Sequence, residues 1–325
     1  MAQAFGALSS TDEVLAGADL RGKRAIVTGT SSGLGVETAR ALAARGAHVI
    51  GTARDIAKAK AATAGVIAAA TEGGGVFELM EMDLASFASV RTASDALKRA
   101  AQPIDIVIAN AGVMAAPFEL TEDGFETQLA TNHLGHFLFI NRIAPLLRDG
   151  ARVVELASSA HRIGPPDLED PNFERTPYHP FLAYGRSKSA NILFAVEFDR
   201  RNKARGVRAA AVHPGAIQTE LVRYLGADTL DKMVEEMSAG LAAQGKGPFA
   251  WKTLPQGAAT SVWAAVTAPA DTIGGQYCEN CHVGRIAPED QQITAVSEGV
   301  RAFALDPDRA NDLWAKSETW VGERF

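Results

Sequence analysis

The chain has 325 residues, 47% of them hydrophobic and 22% charged, with a formal net charge of −6. This composition excludes a disordered chain, a collagen and a coiled coil, and an acidic total without a basic block leaves no electrostatic footprint for nucleic acid. With no N-terminal apolar signal segment, no run long enough to span a membrane and only Cys278 and Cys281 as cysteines, the expectation is a soluble protein of the reducing cytoplasm.

Ser10 and Glu13 have the spacing of a capping box ahead of a short helix. Residues 24–27 form an apolar run entering a glycine-rich turn. Residues 36–45 are helical in pattern, with Gly46 as the stop. A strand over 48–52 precedes an alanine-rich helix over 55–70. Then come a strand at 76–82, a helix at 87–101 and a strand at 104–109. Residues 125–147 are long enough for two or three helices. A strand at 152–157, a helix at 184–202, a strand at 207–212 and a helix near 256–266 complete the alternation. Residues 274–277 read as the entry to a last strand, and 306–320 as a helical tail anchored by Leu313 and Trp314.

Such alternation implies βαβ units with right-handed crossovers. The predicted fold is α/β: one doubly wound parallel sheet, Rossmann-like, with helices on both faces. Length alone would suggest two domains, at about 150 residues each, but no linker divides the pattern. The reading is an N-terminal extension over 1–20, a catalytic domain over 21–285 and a helical tail over 286–325. Segments 161–183 and 216–250 break the alternation, as long functional lids do. Leu230, Met233, Val234, Met237 and Leu241 recur at helical spacing in the second. They suit an apolar lid, and equally a helix packed on the core or on a second copy of the chain.

The turn Thr28-Gly29-Thr30-Ser31-Ser32-Gly33-Leu34-Gly35 joins the first strand to the first helix. Its glycines let the backbone approach a ligand, and the helix N-terminus favours a pyrophosphate. Where an acidic residue would hold the ribose of NAD, the second strand ends in Ala53 and Arg54. An arginine there pairs with a 2′-phosphate and favours NADP(H) over NAD(H). The alternative is a solvated Arg54 with Asp55 as the ribose ligand. Asp83 and Leu84 end the third strand, and Asn110, Ala111 and Gly112 the fourth, along the same edge.

Tyr184 and Lys188 stand four residues apart, on one face of a helix. A phenol has a pKa near 10, and a nearby ammonium lowers it, so the pair suits general acid–base work. Alone, such a pair also arises by chance. Ser158 ends a strand at the ligand-binding edge. Asn132 interrupts a helical stretch and could hold a water linked to Lys188 or simply bond its own backbone.

With these residues the chain resembles the short-chain dehydrogenase/reductase superfamily over roughly residues 20 to 285, in its retinol-dehydrogenase and WW-domain-oxidoreductase-like branch. The resemblance rests on the glycine turn, Asn110-Ala111-Gly112, Asn132, Ser158, Tyr184 with Lys188, and Pro214-Gly215 with Thr219. Ala109 departs from the usual asparagine. The resemblance implies hydride transfer between NADP(H) and a carbonyl or alcohol carbon of an apolar small molecule. Ser158 would orient the carbonyl, Tyr184 pass the proton, Lys188 lower the Tyr184 pKa and bond the nicotinamide ribose, and Asn132 order a relay water. Pro214, Gly215, Ile217 and Thr219 would meet the nicotinamide end. A C=C reductase and a non-catalytic NADP sensor are the alternatives on this scaffold. Cys278-Glu279-Asn280-Cys281-His282 spells a haem-attachment pattern and offers zinc ligands. Without an export signal or a fourth ligand, it reads as two buried free cysteines with no metal bound.

Overall fold

The computed structural model describes residues 5–291 and 296–325. A one-turn helix, Thr11–Val14 (α1), opens the chain with the expected capping box: Glu13 Oε2 accepts from Ser10 N at 2.7 Å and Ser10 Oγ from Glu13 N at 3.3 Å. Then follow Arg24–Thr28 (β1), Gly33–Ala43 (α2), His48–Ala53 (β2), Ile56–Ala62 (α3), Ala64–Gly73 (α4), Val76–Glu81 (β3), Phe87–Ala100 (α5) and Ile104–Ala109 (β4). The second half holds Thr127–Leu129 (α6), Gly135–Ile143 (α7), Leu147–Leu156 (β5), Pro180–Asn202 (α8), Arg208–His213 (β6), Ala227–Ala242 (α9), Leu254–Val262 (α10) and Ala270–Ile273 (α11). Gln276–Glu279 (β7), His282–Val283 (β8), the two-residue strands Ile286–Ala287 (β9) and Val300–Arg301 (β10), and Pro307–Val321 (α12) end it.

The main sheet runs β3-β2-β1-β4-β5-β6-β7-β8, parallel except for β8. It is a Rossmann-like doubly wound sheet, and its order reverses between β1 and β4. That reversal opens a crevice at the carboxyl ends of the strands, where such sheets bind ligands. One sheet face packs Ile26, Val107 and Val153 against Phe137 of α7 and Phe194 of α8. The other packs Val27, Ile108 and Val154 against Leu42 of α2 and Val262 of α10. Burial on both faces explains the unbroken apolar runs of β1 and β4.

Several elements differ from the sequence reading. The helix expected over 55–70 breaks at Thr63, which takes φ −105° and ψ 10° and donates to Ala59 O both from its hydroxyl at 2.8 Å and from its N–H at 3.0 Å. Residues 127–146 form one helical run, its middle widened into a π turn at Ala130–Leu134. β5 begins at Leu147 because Leu147 still pairs with Ile104, while Arg152 pairs with Ile106. The exposed residues between, Asp149 and Gly150 among them, bulge out of the ladder. β8 is an antiparallel addition that the pattern did not announce.

The segment after β10 ends in α12, which lies on α8. Trp314 stacks on Phe194 with centroids 5.8 Å apart and 6° between planes, and meets Phe137 edge-on at 5.0 Å. The Arg201 guanidinium lies 4.2 Å from the indole centroid. A buried tryptophan truncated to alanine costs about 3–5 kcal/mol, so Trp314→Ala should lower the unfolding free energy by that amount. Urea titration followed by circular dichroism checks this; a change under about 1 kcal/mol would mean that α12 is not docked as described.

Candidate active site

The crevice is built from the glycine turn outward. Gly29 N and Thr30 N donate to Thr52 O at 2.9 and 3.0 Å, which ties the turn to β2. Gly29 has φ +75°, and a methyl there would lie 2.8 Å from Ala111 Cα. A methyl at Gly35 would fall 2.2 Å from Gly29 O and 2.6 Å from Asn110 Nδ2, so both positions require glycine. Asn110 Nδ2 donates to Thr28 O at 2.8 Å. The Asn110 side-chain amide therefore ties the turn to the end of β4. Ser32 caps α2 in extended conformation without a side-chain bond, and this leaves first-turn N–H groups aimed at the crevice. Ser31, Ser32, Gly33 and Leu34 are all half-buried along it.

At the end of β2, Arg54 is exposed and has no hydrogen bond or ion pair among the described residues. The competing candidate, Asp55, caps α3 by accepting from Lys58 N at 2.9 Å. Asp83 Oδ1 accepts from Ala85 N at 2.9 Å, and the Leu84 side chain is buried in the core, so Leu84 offers the crevice only backbone. Ala111 and Gly112 line the floor. A methyl at Gly112 would come 3.1 Å from Asn132 Oδ1 and 3.6 Å from Lys188 Nζ.

α8 begins at Pro180, four residues earlier than expected, and places Tyr184 and Lys188 on its sheet-facing side, each 4% exposed. Lys188 Nζ donates to Leu156 O at 2.8 Å and lies 5.8 Å from the Tyr184 ring centre. Ser158 caps the 3₁₀ turn Ser159–Ile163, its hydroxyl accepting from Ala160 N at 3.1 Å. Burial pushes the Tyr184 phenol up to about 12, and the Ser158 hydroxyl acts in the opposite direction. The Lys188 ammonium is turned to the Leu156 carbonyl. Lys188 itself is brought down to about 8 by the same burial.

Asn132 lies in the π turn. Its Oδ1 accepts from Val113 N at 2.8 Å, and its Nδ2 donates to Val113 O and Ser187 Oγ, both at 2.9 Å. Both side-chain N–H groups are therefore used by the protein itself. The Asn132 main-chain carbonyl accepts from His136 Nδ1 at 3.0 Å, and the other ring nitrogen of His136 accepts from the Thr28 hydroxyl at 2.9 Å. Sequence reasoning missed Thr28, His136 and Ser187 as parts of the site. The signal was present, since His136 stands one helical turn after Asn132, but only the structure shows which neighbours they meet.

The sequence profile described as short chain dehydrogenase matches residues 23–230. The chain belongs to the short-chain dehydrogenase/reductase family. Within it the chain falls in the retinol-dehydrogenase and WW-domain-oxidoreductase-like branch. It is 43% identical to a probable oxidoreductase of Streptomyces lividans, over 91% of this chain and 96% of that one. It is 34% identical to mouse retinol dehydrogenase 14, over 93% and 87% of the two chains. The structure is similar to that of a short chain dehydrogenase from Burkholderia cenocepacia in complex with NADP: 27% identity, TM-score 0.64, covering 81% of this chain and 98% of that one.

In this short-chain dehydrogenase/reductase the loop after β6 closes the crevice. Pro214 and Gly215 lead out of the strand, and Gly215 takes φ +94° where a side chain would strike Lys252. Ile217 and Leu34 pack together over Gly257 of α10. Thr219 Cγ2 comes 3.3 Å from where a methyl at Gly33 would sit, so this loop lies on the glycine turn. The Thr219 hydroxyl accepts from Leu221 N at 3.2 Å. Glu220 pairs with Lys58 of α3. Leu221, Val222 and Leu225 pack with Met114, Ala115 and Phe181 around Tyr184. That apolar wall belongs to the second lid. In α9, Met237 is buried and Leu230, Met233, Val234 and Leu241 are half-buried, so the stripe faces the protein. The first lid is folded by Asp170, which accepts from Glu174 N at 2.8 Å and Thr176 N at 2.8 Å.

Cys278 and Cys281 are free and buried, and burial pushes Cys278 up to about 12. Asn280 and Cys281 take φ +50° and +57° in the tight turn between β7 and β8. His282 is exposed, and among the described residues no group of histidine, cysteine and carboxylate side chains is arranged to hold a metal. Nor, among them, is any helix long and apolar enough to cross a membrane.

Burial holds four histidines neutral: His133 and His213 are brought down to about 3, His136 and His161 to about 4. Depressed folded-state values give stability that is complete above the ordinary histidine range and lost as pH falls through it. The urea midpoint should therefore begin to fall at about pH 6.5, well before carboxylates titrate. A midpoint unchanged down to about pH 5 would contradict this histidine environment.

Proposed function

We propose that this short-chain dehydrogenase/reductase interconverts a carbonyl and an alcohol on an apolar small molecule, using NADP(H), with Tyr184 as the proton donor and acceptor. The observation that carries the reading is the convergence of Ser158, Tyr184 and Lys188 beneath an apolar wall, with Lys188 Nζ 5.8 Å from the Tyr184 ring centre.

The crevice fits a dinucleotide phosphate on three counts. Gly29 and Gly35 leave backbone bare where side chains would collide. The α2 N-terminus has uncapped N–H groups. Arg54 is exposed and unpartnered among the described residues, as a 2′-phosphate ligand would be before binding. Gly29, Ser31, Ser32, Gly33, Leu34 and Gly35 would hold the pyrophosphate, and Arg54 the 2′-phosphate. Asp83 and the Leu84 backbone would meet the adenine end, Asn110, Ala111 and Gly112 the middle. Lys188 and Tyr184 would hold the nicotinamide ribose, and Pro214, Gly215, Ile217 and Thr219 the nicotinamide end. The bound cofactor supplies the hydride. The NADP of the Burkholderia neighbour supports the same choice here.

The chain's own residues handle the proton. Ser158 donates to the substrate oxygen and orients it. With burial holding the phenol protonated at neutral pH, Tyr184 is ready to give its proton to that oxygen in the reducing direction. The phenolate left behind is stabilised by the Lys188 ammonium and by Ser158. Met114, Phe181, Leu221, Val222 and Leu225 exclude water and select an apolar substrate.

Tyr184→Phe should lower kcat by about 10²–10⁴-fold while NADPH still binds, as read by nucleotide fluorescence; normal turnover sinks the assignment. Arg54→Glu should raise the KM for NADPH by roughly ten- to a hundredfold and leave NADH unaffected. Parallel steady-state assays with both cofactors decide it, and an equal loss for both would remove Arg54 from the 2′-phosphate.

A further inference from the structure

Ser158 is held by a residue to which the mechanism gives no part. His161 lies in the 3₁₀ turn that Ser158 caps, and it is buried. Its Nδ1 is 2.7 Å from Ser158 O, and its Nε2 is 3.3 Å from Arg301 N. A carbonyl only accepts and a backbone N–H only donates. Nδ1 therefore carries the ring proton and Nε2 is bare, which fixes one neutral tautomer. Burial agrees, since it brings His161 down to about 4. The ring lies against Tyr277 of β7, with centroids 5.0 Å apart.

The segment that supplies Arg301 N is itself pinned. Arg162 donates to Gly299 O from Nε at 3.1 Å and from Nη2 at 2.7 Å, and Gly299 N donates to Glu279 Oε1 of β7 at 2.5 Å. Residues 299–301 lie beyond the stretch, 23–230, that matches the family profile. On its other side the turn is seated on α8. Ser189 Oγ donates to His161 O at 2.9 Å, and a methyl at Gly185 would come 2.6 Å from Ala160 O. These two residues directly follow Lys188 and Tyr184, so the turn and the reacting face of α8 are fitted to each other.

We propose that His161 is a positioning residue for Ser158: Arg301 N–H sets the imidazole tautomer, and Nδ1–H then holds the Ser158 carbonyl so that the hydroxyl keeps its place near Tyr184. The inference rests on the reading of Ser158 given above. The same carbonyl also accepts from His161 N at 3.1 Å. Two donors on one carbonyl fix the plane of that peptide, and with it the backbone of the serine that meets the substrate. The Ser158 hydroxyl accepts from Ala160 N, which occupies a lone pair and not the O–H. The other tautomer would turn an imidazole lone pair on the Ser158 carbonyl and push it away.

His161→Phe keeps a ring against Tyr277 and removes both nitrogens. His161→Asn loses the ring, yet its side-chain amide can donate where Nδ1–H did, with no tautomer to set. In the full chain with NADPH and benzaldehyde or hexanal, His161→Phe should lower kcat about tenfold, with the KM for NADPH within about twofold of wild type, and His161→Asn should recover most of that loss. If the ring only fills space, the order reverses and the phenylalanine variant is the faster. That order, or equal losses in both variants, overturns the proposal. A second readout needs no turnover. In protein carrying isotope-labelled histidine, the nuclear magnetic resonance signal that His161→Asn removes should be that of an Nδ1–H tautomer. An Nε2–H tautomer at His161 overturns the proposal. Normal turnover by Ser158→Ala, or none by the wild type, with the Nδ1–H tautomer in place would leave the His161 bond standing and overturn the reading of Ser158 instead.

Discussion

The site depends on the hydroxyl of Thr28. It accepts from Ala111 N and donates to His136, so it joins the end of β1 to β4 and to the helical run across the crevice. From His136 the chain of hydrogen bonds continues through the Asn132 carbonyl, the Asn132 amide, the Ser187 hydroxyl and the Tyr184 carbonyl. Each member is buried or nearly so, and each uses a donor or acceptor that would be costly to leave unmade. The glycine turn and the tyrosine helix are therefore held in one geometry before any ligand arrives. The π turn has a physical reason in this chain: it sets the Asn132 side chain toward Val113 and Ser187 while its carbonyl bonds His136.

The alternation of apolar runs and helical spacing carried the sheet, because β1, β4, β5 and β6 are covered on both faces and had to be apolar. The glycine turn was legible because its steric demands leave glycine no substitute at positions 29 and 35. What the pattern could not carry was anything set by partners distant in sequence. Asn110 read as a crevice residue, and the pattern gave no sign that its amide also ties the glycine turn to β4. Asn132 looked available for water and is taken up by Val113 and Ser187. The Tyr184–Lys188 spacing is met, but spacing says nothing of the burial that pushes the phenol up or of the Leu156 carbonyl that bonds the ammonium. The strand expected from residue 152 starts at Leu147, with Asp149 and Gly150 bulging inside it. The apolar wall of Leu221, Val222 and Leu225 lay in a segment too irregular to place without the fold.

Most ionisable groups in the layer between the sheet and α8 are kept from their ordinary charge. His133 and His136 are neutral, Tyr184 is protonated, and Lys188 holds its charge less firmly than a surface lysine. A layer with so little fixed charge responds strongly to any single proton, since no counter-ions within it screen the change. The exposed Arg54, in contrast, acts through water, where its field reaches about 8 Å at physiological ionic strength. One site thus has two electrostatic regimes, a screened outer end and an unscreened inner one.

The position of α12 bears on how the chain is made. His133 in the π turn bonds Ser317 of α12 at 2.9 Å, and Leu313 packs on Leu193 of α8. The helix that carries Tyr184 and Lys188 is therefore covered by a segment that leaves the ribosome more than a hundred residues after it begins. Until residues near 321 have emerged, the aromatic face of α8 around Phe194 and Phe198 is bare, and a bare face of that kind invites association. Synthesis of this protein thus includes an interval, after β6 has formed and before α12 docks, in which the reactive helix is built but its outer surface still needs shelter.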